Sequence, residues 1–232
     1  MQVRTSGDDE DTFRLLKDEL FTAVVGDVLD VMGYRRQFLP AAIGPLQREM
    51  KIAGRAMPVL EADIFDEGTA ASAGPLARKP FGIMLEALDD LKPGEVYIAS
   101  GSSFCYALWG GLMSTRAQHL KAAGAVLDGY VRDAGEIEKL GFPAFCRGVY
   151  AQDQGVRGKV IDFRTTIEIE GVRIATGDLV FGDREGVLVI PKEAEKEAIA
   201  RALEKSRTEN KVADAIRGGM SACEALATFG VM

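Results

Sequence analysis

The chain has 232 residues, 47% of them hydrophobic and 27% charged, which suits one large or two small globular domains with a real core. Its net charge of −7, with no run of basic residues longer than Arg35–Arg36, argues against nucleic-acid binding, which needs a basic face to displace counterions. The polar, acidic N-terminus lacks a signal-peptide core, and no stretch of about 18 apolar residues is present to span a membrane, so the expected location is the cytoplasm.

In chain order, residues 1–10 read as a flexible N-terminus and 11–232 as one domain. Residues 12–20 and 26–32 suggest short helices, the second stopped by Gly33. Residues 40–54 look like a loop, 55–60 like a weak strand and 66–80 like an irregular surface segment rich in glycine and proline. A helix over 81–91 should end at Lys92-Pro93-Gly94, before a β run over 95–99. The apolar spacing over 112–123 predicts a helix with one buried face, closed by Gly124. A buried strand then opens at Ala125 and runs through Asp128 to a turn at Asp133. Helical turns over 134–140 and a strand-like run over 144–150 follow. Beyond these come short β runs over 159–163, 165–170, 172–174, 179–181 and 187–190, with turns at Glu170-Gly171 and at 183–186. A long helix over 192–217 and a short one over 221–229 end the chain. The pattern is that of a single α/β domain.

Residue usage narrows the chemistry. Cys105, Cys146 and Cys223 form no CxxC pair, and the single histidine, His119, cannot build a multi-histidine metal site. Carboxylates are plentiful and prefer hard cations. Gly110-Gly111 opens the 112–123 helix, where free amides favour an anion, although a tight glycine loop is the simpler explanation of the pair. Arg132–Asp133 stands at a strand end, with a planar fork for a carboxylate and an oxygen ligand for a cation. Asp133 capping the next helix, with Arg132 in a surface ion pair, is the competing explanation. Asp178, Asp183 and Glu185 fall where turns favour acids. Lys121 and Lys159 lack a signal for a depressed pKa, and Phe142, Phe145 and Tyr150 read as core. No glycine loop of the nucleotide-binding kind is present.

Taken together, the string Trp109-Gly110-Gly111-Leu112-Met113-Ser114-Thr115 and the stretch from Gly124 to Arg132-Asp133 resemble the 4-hydroxy-4-methyl-2-oxoglutarate (HMG/CHA) aldolase family. That family includes the RraA-like regulators of ribonuclease activity. Lys92-Pro93-Gly94-Glu95-Val96, Phe145-Cys146-Arg147-Gly148 and the hairpin around Gly182–Gly186 add to the likeness, which covers most of 20–232. The resemblance implies a swivelling β/β/α sandwich with a long C-terminal helix, assembled as trimers or hexamers with sites at subunit interfaces. It implies a divalent metal, Mg2+ or Mn2+, held by Asp133, with Glu209 of a neighbouring copy (Glu204 as second choice) in its outer shell. Arg132 would bind the pyruvoyl group of a small 2-oxo acid and steady its enolate, while Gly110, Gly111, Leu112 and Met113 line the substrate, the last two through their amides.

The implied activity is aldol cleavage of a 4-hydroxy-2-oxo acid, decarboxylation of oxaloacetate, or both. A non-catalytic regulator of a ribonuclease or helicase, or an enzyme for another 2-oxo or sugar acid, is the alternative. The chain departs from the family at Gly111, where aldolases carry an aspartate that orients water on the metal. Decarboxylation, whose first step needs no base, tolerates that departure.

Overall fold

Helices and buried strands alternate through the middle of the chain, between a helical start and a helical end. The computed structural model describes residues 6–64, 76 and 78–231. Helices α1 (Ser6–Glu19) and α2 (Thr22–Val31) come first. Strands β1 (Gly44–Pro45) and β2 (Ile52–Asp63), helix α3 (Met84–Asp89) and strands β3 (Glu95–Ser100) and β4 (Ala107–Trp109) follow. The centre holds α4 (Gly111–His119), β5 (Gly124–Leu127), β6 (Tyr130–Val131), α5 (Ala134–Leu140), β7 (Ala144–Cys146) and β8 (Gly148–Val149). Strands β9 (Gly158–Phe163), β10 (Ile167–Ile169), β11 (Val172–Ile174), β12 (Leu179–Asp183) and β13 (Gly186–Ile190) precede α6 (Glu195–Arg217) and α7 (Ala222–Phe229).

The main sheet runs β1-β7-β5-β3-β2-β12-β13, with β9 on the far half of β2. Its centre, β2-β3-β5-β7, is parallel and its flanks are antiparallel. Gly44 and Pro45 pair with β7, while Leu39 N donates to Val187 O on β13 at 2.9 Å. The segment 39–45 thus ties the two edges of the sheet and nearly closes it.

Alternate residues of the strands serve different layers. Met57, Val59, Tyr97 and Ala99 pack under α3, α4 and α5, whereas Ala56, Val96, Ile98 and Val180 point to the interior, against the β10–β11 hairpin. On β12 and β13, Leu179, Phe181, Leu188 and Ile190 bury against α1, α2 and α6. This is the layered α/β architecture with a long C-terminal helix that the sequence suggests.

Several boundaries shift for physical reasons. The first helix begins at Ser6 rather than Thr12, so 6–10 is helical; residues 1–5 lie outside the described residues, as does most of the irregular 66–80 segment. Strand β2 is twice the expected length because it is buried on both faces and shows little alternation. Left-handed Phe81 (φ 61°) and Gly82 (φ 65°) delay α3, and left-handed Lys121 (φ 61°) ends α4 before Ala123. The strand expected from Ala125 to Asp133 breaks at Asp128-Gly129, and its second half, β6, joins a separate sheet. Both expected hairpin turns form. Glu170 (φ 44°) and Gly171 (φ 87°) both take positive φ, as a two-residue turn matched to strand twist requires. No helix among the described residues is long and apolar enough to cross a membrane.

Candidate active site

The small parallel sheet β4-β6-β8 builds the site. Arg132 N donates to Trp109 O at 2.9 Å and Tyr150 N to Val131 O at 2.9 Å, so three strand ends stop side by side. The first end leads through Gly110 into α4, the second through Arg132–Asp133 into α5, and the third into the loop carrying Asp153 and Gln154. Carboxyl ends of parallel strands hold functional groups rigidly at the mouth of a crevice. Here a cavity of about 440 Å³ opens beside Gly110, Arg132, Asp133, Asp153 and Gln154.

Asp133 adopts a left-handed conformation (φ 56°, ψ 34°) and makes no side-chain cap on α5. Its Oδ2 instead accepts from Gly111 N at 3.1 Å, at the N-terminus of α4. A Cβ on Gly110 would lie 2.9 Å from Asp133 Oδ2 and 3.3 Å from Arg132 Cγ, so a side chain there would push on both residues. Arg132 Nη1 pairs with Asp153 Oδ1 at 2.8 Å, and its Nε lies 3.8 Å from Asp133 Oδ2. Both side chains remain about two-fifths exposed, so a ligand can reach them.

Gly111 meets a second carboxylate. A Cβ there would stand 2.4 Å from Glu136 Oε2 and 3.3 Å from Asp133 Cβ. The Glu136 carboxylate therefore fills the space that a side chain at position 111 would take. Beneath the cavity lies a buried polar group. Gln154 donates to Glu61 Oε2 at 2.7 Å, while Glu61 Oε1 and Tyr97 OH, both buried, have no hydrogen-bond partner among the described residues. Burial first, and then Asp63, push the Glu61 carboxyl up to about 8. Asp63 is drawn the other way. Desolvation raises it, but hydrogen bonds from Ser103 and Tyr106 outweigh that and hold it below its ordinary range.

Of the residues expected at the site, Gly110, Leu112, Met113, Arg132 and Asp133 line the cavity, and Gly111 touches Asp133. Leu112 and Met113 lie in the first turn of α4, where a helix leaves its amides without intrahelical acceptors. Glu209 is not brought there within this chain: it sits on α6, in the layer of α1 and α2, paired with Lys205 at 3.0 Å. Lys205 also binds Asp27, and Glu204 lies on the same helix. Asp183 is structural, accepting from Thr22 N and Oγ1, each at 2.8 Å, and from Glu185 N at 2.9 Å. Asp178 likewise holds a turn, through Ala175 N at 2.8 Å. Lys159 Nζ donates to the Lys79 carbonyl. Phe142 and Phe145 are core, but Tyr150 is exposed, because β8 ends before it.

Sequence reasoning missed Glu136, Asp153, Gln154 and the apolar wall from α3. Glu136 had a signal, since position i+3 from Asp133 shares its helical face. Asp153 had none, because only the folded loop carries it to Arg132.

Arg132 and Asp133 thus stand together at a strand end, beside the N-terminus of α4 and at the mouth of the cavity. The RraA-like model (Aldolase/RraA) matches residues 22–189, and the chain belongs to this family. A protein of Halalkalibacterium halodurans, provisionally named 4-hydroxy-4-methyl-2-oxoglutarate aldolase, is 30% identical over 205 residues, covering 88% of each chain. Protein DlpA of Legionella pneumophila is 29% identical over 200 residues, spanning 85% of this chain but 30% of DlpA, so the chain matches less than a third of that relative. The solved structure of RraAS2 from Streptomyces coelicolor, an unusual member of the RNase ES inhibitor RraA family, shares the fold with a TM-score of 0.74 at 23% identity, covering 90% of this chain and 98% of that one.

Proposed function

We propose that the protein is a divalent-metal-dependent carbon–carbon lyase that acts on a 2-oxo acid through pyruvate enolate, as a 4-hydroxy-2-oxo acid aldolase, an oxaloacetate decarboxylase, or both. The observation that carries this reading is the meeting of Arg132, Asp133 and the α4 N-terminus at one cavity. Relatives named as aldolases support the lyase class.

The donor set suits a hard cation. Asp133 and Glu136 offer only carboxylate oxygen around Gly111, half open to water, and Mg2+ or Mn2+ binds through one or two carboxylates plus solvent. Asp133 would hold the ion, with Glu209 of a neighbouring copy in its outer shell if the chain assembles as a trimer or hexamer. When bound, the ion supplies Lewis-acid polarisation of the 2-oxo group.

The chain's own residues do the rest. Arg132 exchanges Asp153 for the substrate carboxylate and faces the charge that develops on the enolate oxygen. The Leu112 and Met113 amides orient the substrate oxygens at the positive end of α4. In aldol cleavage a base must take the proton of the 4-hydroxyl, and Glu136, whose carboxylate stands over Gly111, would be that base. Decarboxylation needs no such base in its first step.

A regulator that binds a ribonuclease or helicase is the second reading, favoured by the fold shared with RraAS2. An arginine–aspartate pair at a ligand-sized cavity favours the enzyme. Pyruvate release from oxaloacetate and from a 4-hydroxy-2-oxo acid, followed by coupled lactate dehydrogenase, separates the two. The enzyme should require Mg2+ or Mn2+ and lose turnover in Asp133→Ala. Undiminished turnover in that variant would sink the reading.

A further inference from the structure

A break in the pairing of β2 with β9 falls between Leu60 and Glu61, and a break of this kind re-aims the side chain beside it. Glu61 is 2% exposed, and its carboxyl has one hydrogen-bond partner among the described residues, Gln154. The titratable groups that act on it are Asp63 on the same strand, Tyr97 of β3 and Tyr106 ahead of β4, none of them a cation. Lys159 of β9 turns its ammonium to the Lys79 carbonyl instead. A buried acid with no cation beside it adds little stability that an apolar side chain would not. What distinguishes Glu61 is where its single bond leads.

Gln154 is itself 3% exposed and lines the cavity. It follows Asp153, whose Oδ1 holds Arg132 Nη1 at 2.8 Å and whose Oδ2 accepts from Gly155 N at 3.0 Å. The Gln154 carbonyl accepts from Arg157 N at 2.7 Å and from Gly158 N at 3.0 Å, while Arg157 Nη1 donates to Asp153 O at 3.0 Å. The loop between β8 and β9 is therefore fastened at Gln154 through backbone and side chain together. The seat of Gln154 fixes Asp153, and Asp153 fixes the guanidinium of Arg132.

We propose that Glu61 is a positioning residue that, through Gln154, seats this loop and so holds Arg132 in place for the carboxylate of a 2-oxo acid. The inference rests on the reading of Arg132 as the acid-binding group. Burial and Asp63 keep the Glu61 carboxyl protonated at neutral pH. Ionisation would leave an uncompensated charge beneath the cavity and draw water to it, so affinity for an acid should fall as pH rises through about 8.

The test is calorimetric titration of pyruvate in the presence of Mg2+, at pH 7 and pH 9. At pH 7, Glu61→Leu fills the same space without a partner for Gln154 and should weaken pyruvate about fivefold. Glu61→Gln keeps a partner and should stay within about twofold of the parent. Gln154→Leu should match Glu61→Leu, and the double variant should lose no more than either alone. Between pH 7 and pH 9 the parent should lose affinity that Glu61→Gln retains. If Glu61→Leu fails to fold, the Glu61→Gln comparison across pH and Gln154→Leu still decide. Unchanged affinity in folded Glu61→Leu or Gln154→Leu, additive losses in the double variant, or parallel pH behaviour of parent and Glu61→Gln would overturn the proposal. So would a parent that binds no pyruvate. Pyruvate release from oxaloacetate is measured on the same samples. The expected affinities without turnover in the parent sink the lyase reading and leave this one standing, whereas turnover with affinities indifferent to Glu61 does the reverse.

Discussion

At Asp133 a φ of 56° goes with a carboxylate that makes no side-chain cap on α5. A non-glycine residue in the left-handed region is strained by about 1 kcal/mol or more, and here the strain turns the carboxylate away from α5 toward Gly111 N. Gly111 is the neighbour most sensitive to change. A methyl group there meets Glu136 Oε2 at 2.4 Å and the Cβ atoms of Asp133 and Glu136 at 3.3 Å, so Gly111→Ala should destabilise by about 1–2 kcal/mol. It should also displace Glu136 and lower aldol turnover roughly tenfold, while oxaloacetate decarboxylation falls less. Thermal melts and the two assays together check this, and parallel losses in both reactions would remove Glu136 from the proton chemistry.

Glu61 gives a pH prediction at the same scale. Its folded pKa of about 8 lies above the ordinary carboxyl value, so the folded state keeps a proton that the unfolded chain has lost. Stability is full below about pH 4.5 and declines as pH rises through 8. Glu61→Gln removes that slope. Urea unfolding should find the variant equal to the parent near pH 5 and more stable above pH 8.5, by roughly 3–5 kcal/mol at most. A parent whose midpoint rises from pH 6 to 9 contradicts the buried neutral acid.

Among elements, Arg55 is the fastening between layers. It leaves β2 to meet Glu195 of α6, at 2.7 Å, and Asp9 of α1. Glu195 is nearly fully buried, and removing it leaves the largely buried Arg55 with Asp9 as its remaining carboxylate. Glu195→Ala should cost about 3 kcal/mol, measured by denaturant unfolding. None of this pairing was legible in the sequence, where residues 55 and 195 are simply a charge in a strand and one near a helix start. The hairpins were legible, because Glu170-Gly171 and the Asp183–Gly186 turn are local chemistry. The site was half legible. Glycines and a strand-end Arg–Asp marked it, but the break at Asp128-Gly129, which moves β6 into its own sheet beside β4, depends on long-range pairing. Asp153 and the α3 wall depend on the same pairing and left no local trace.

For the whole molecule, the sheet nearly closed by residues 39–45 leaves the site on one face and α6 on another. Glu209 can reach an Asp133 only from another copy under the proposed assembly. Light scattering should then give three or six copies in solution. Glu209→Gln should lower metal-dependent turnover without changing that mass; a fully active variant would leave Glu209 to its pair with Lys205 alone.

The most direct measurement is the rate of pyruvate release from oxaloacetate, with Mg2+ and with EDTA, for the parent and Asp133→Ala. A metal held by Asp133 requires turnover that EDTA abolishes and that Asp133→Ala lacks even at saturating metal. Turnover that persists in EDTA, or survives the loss of Asp133, would contradict a metal–enolate site at the end of β6.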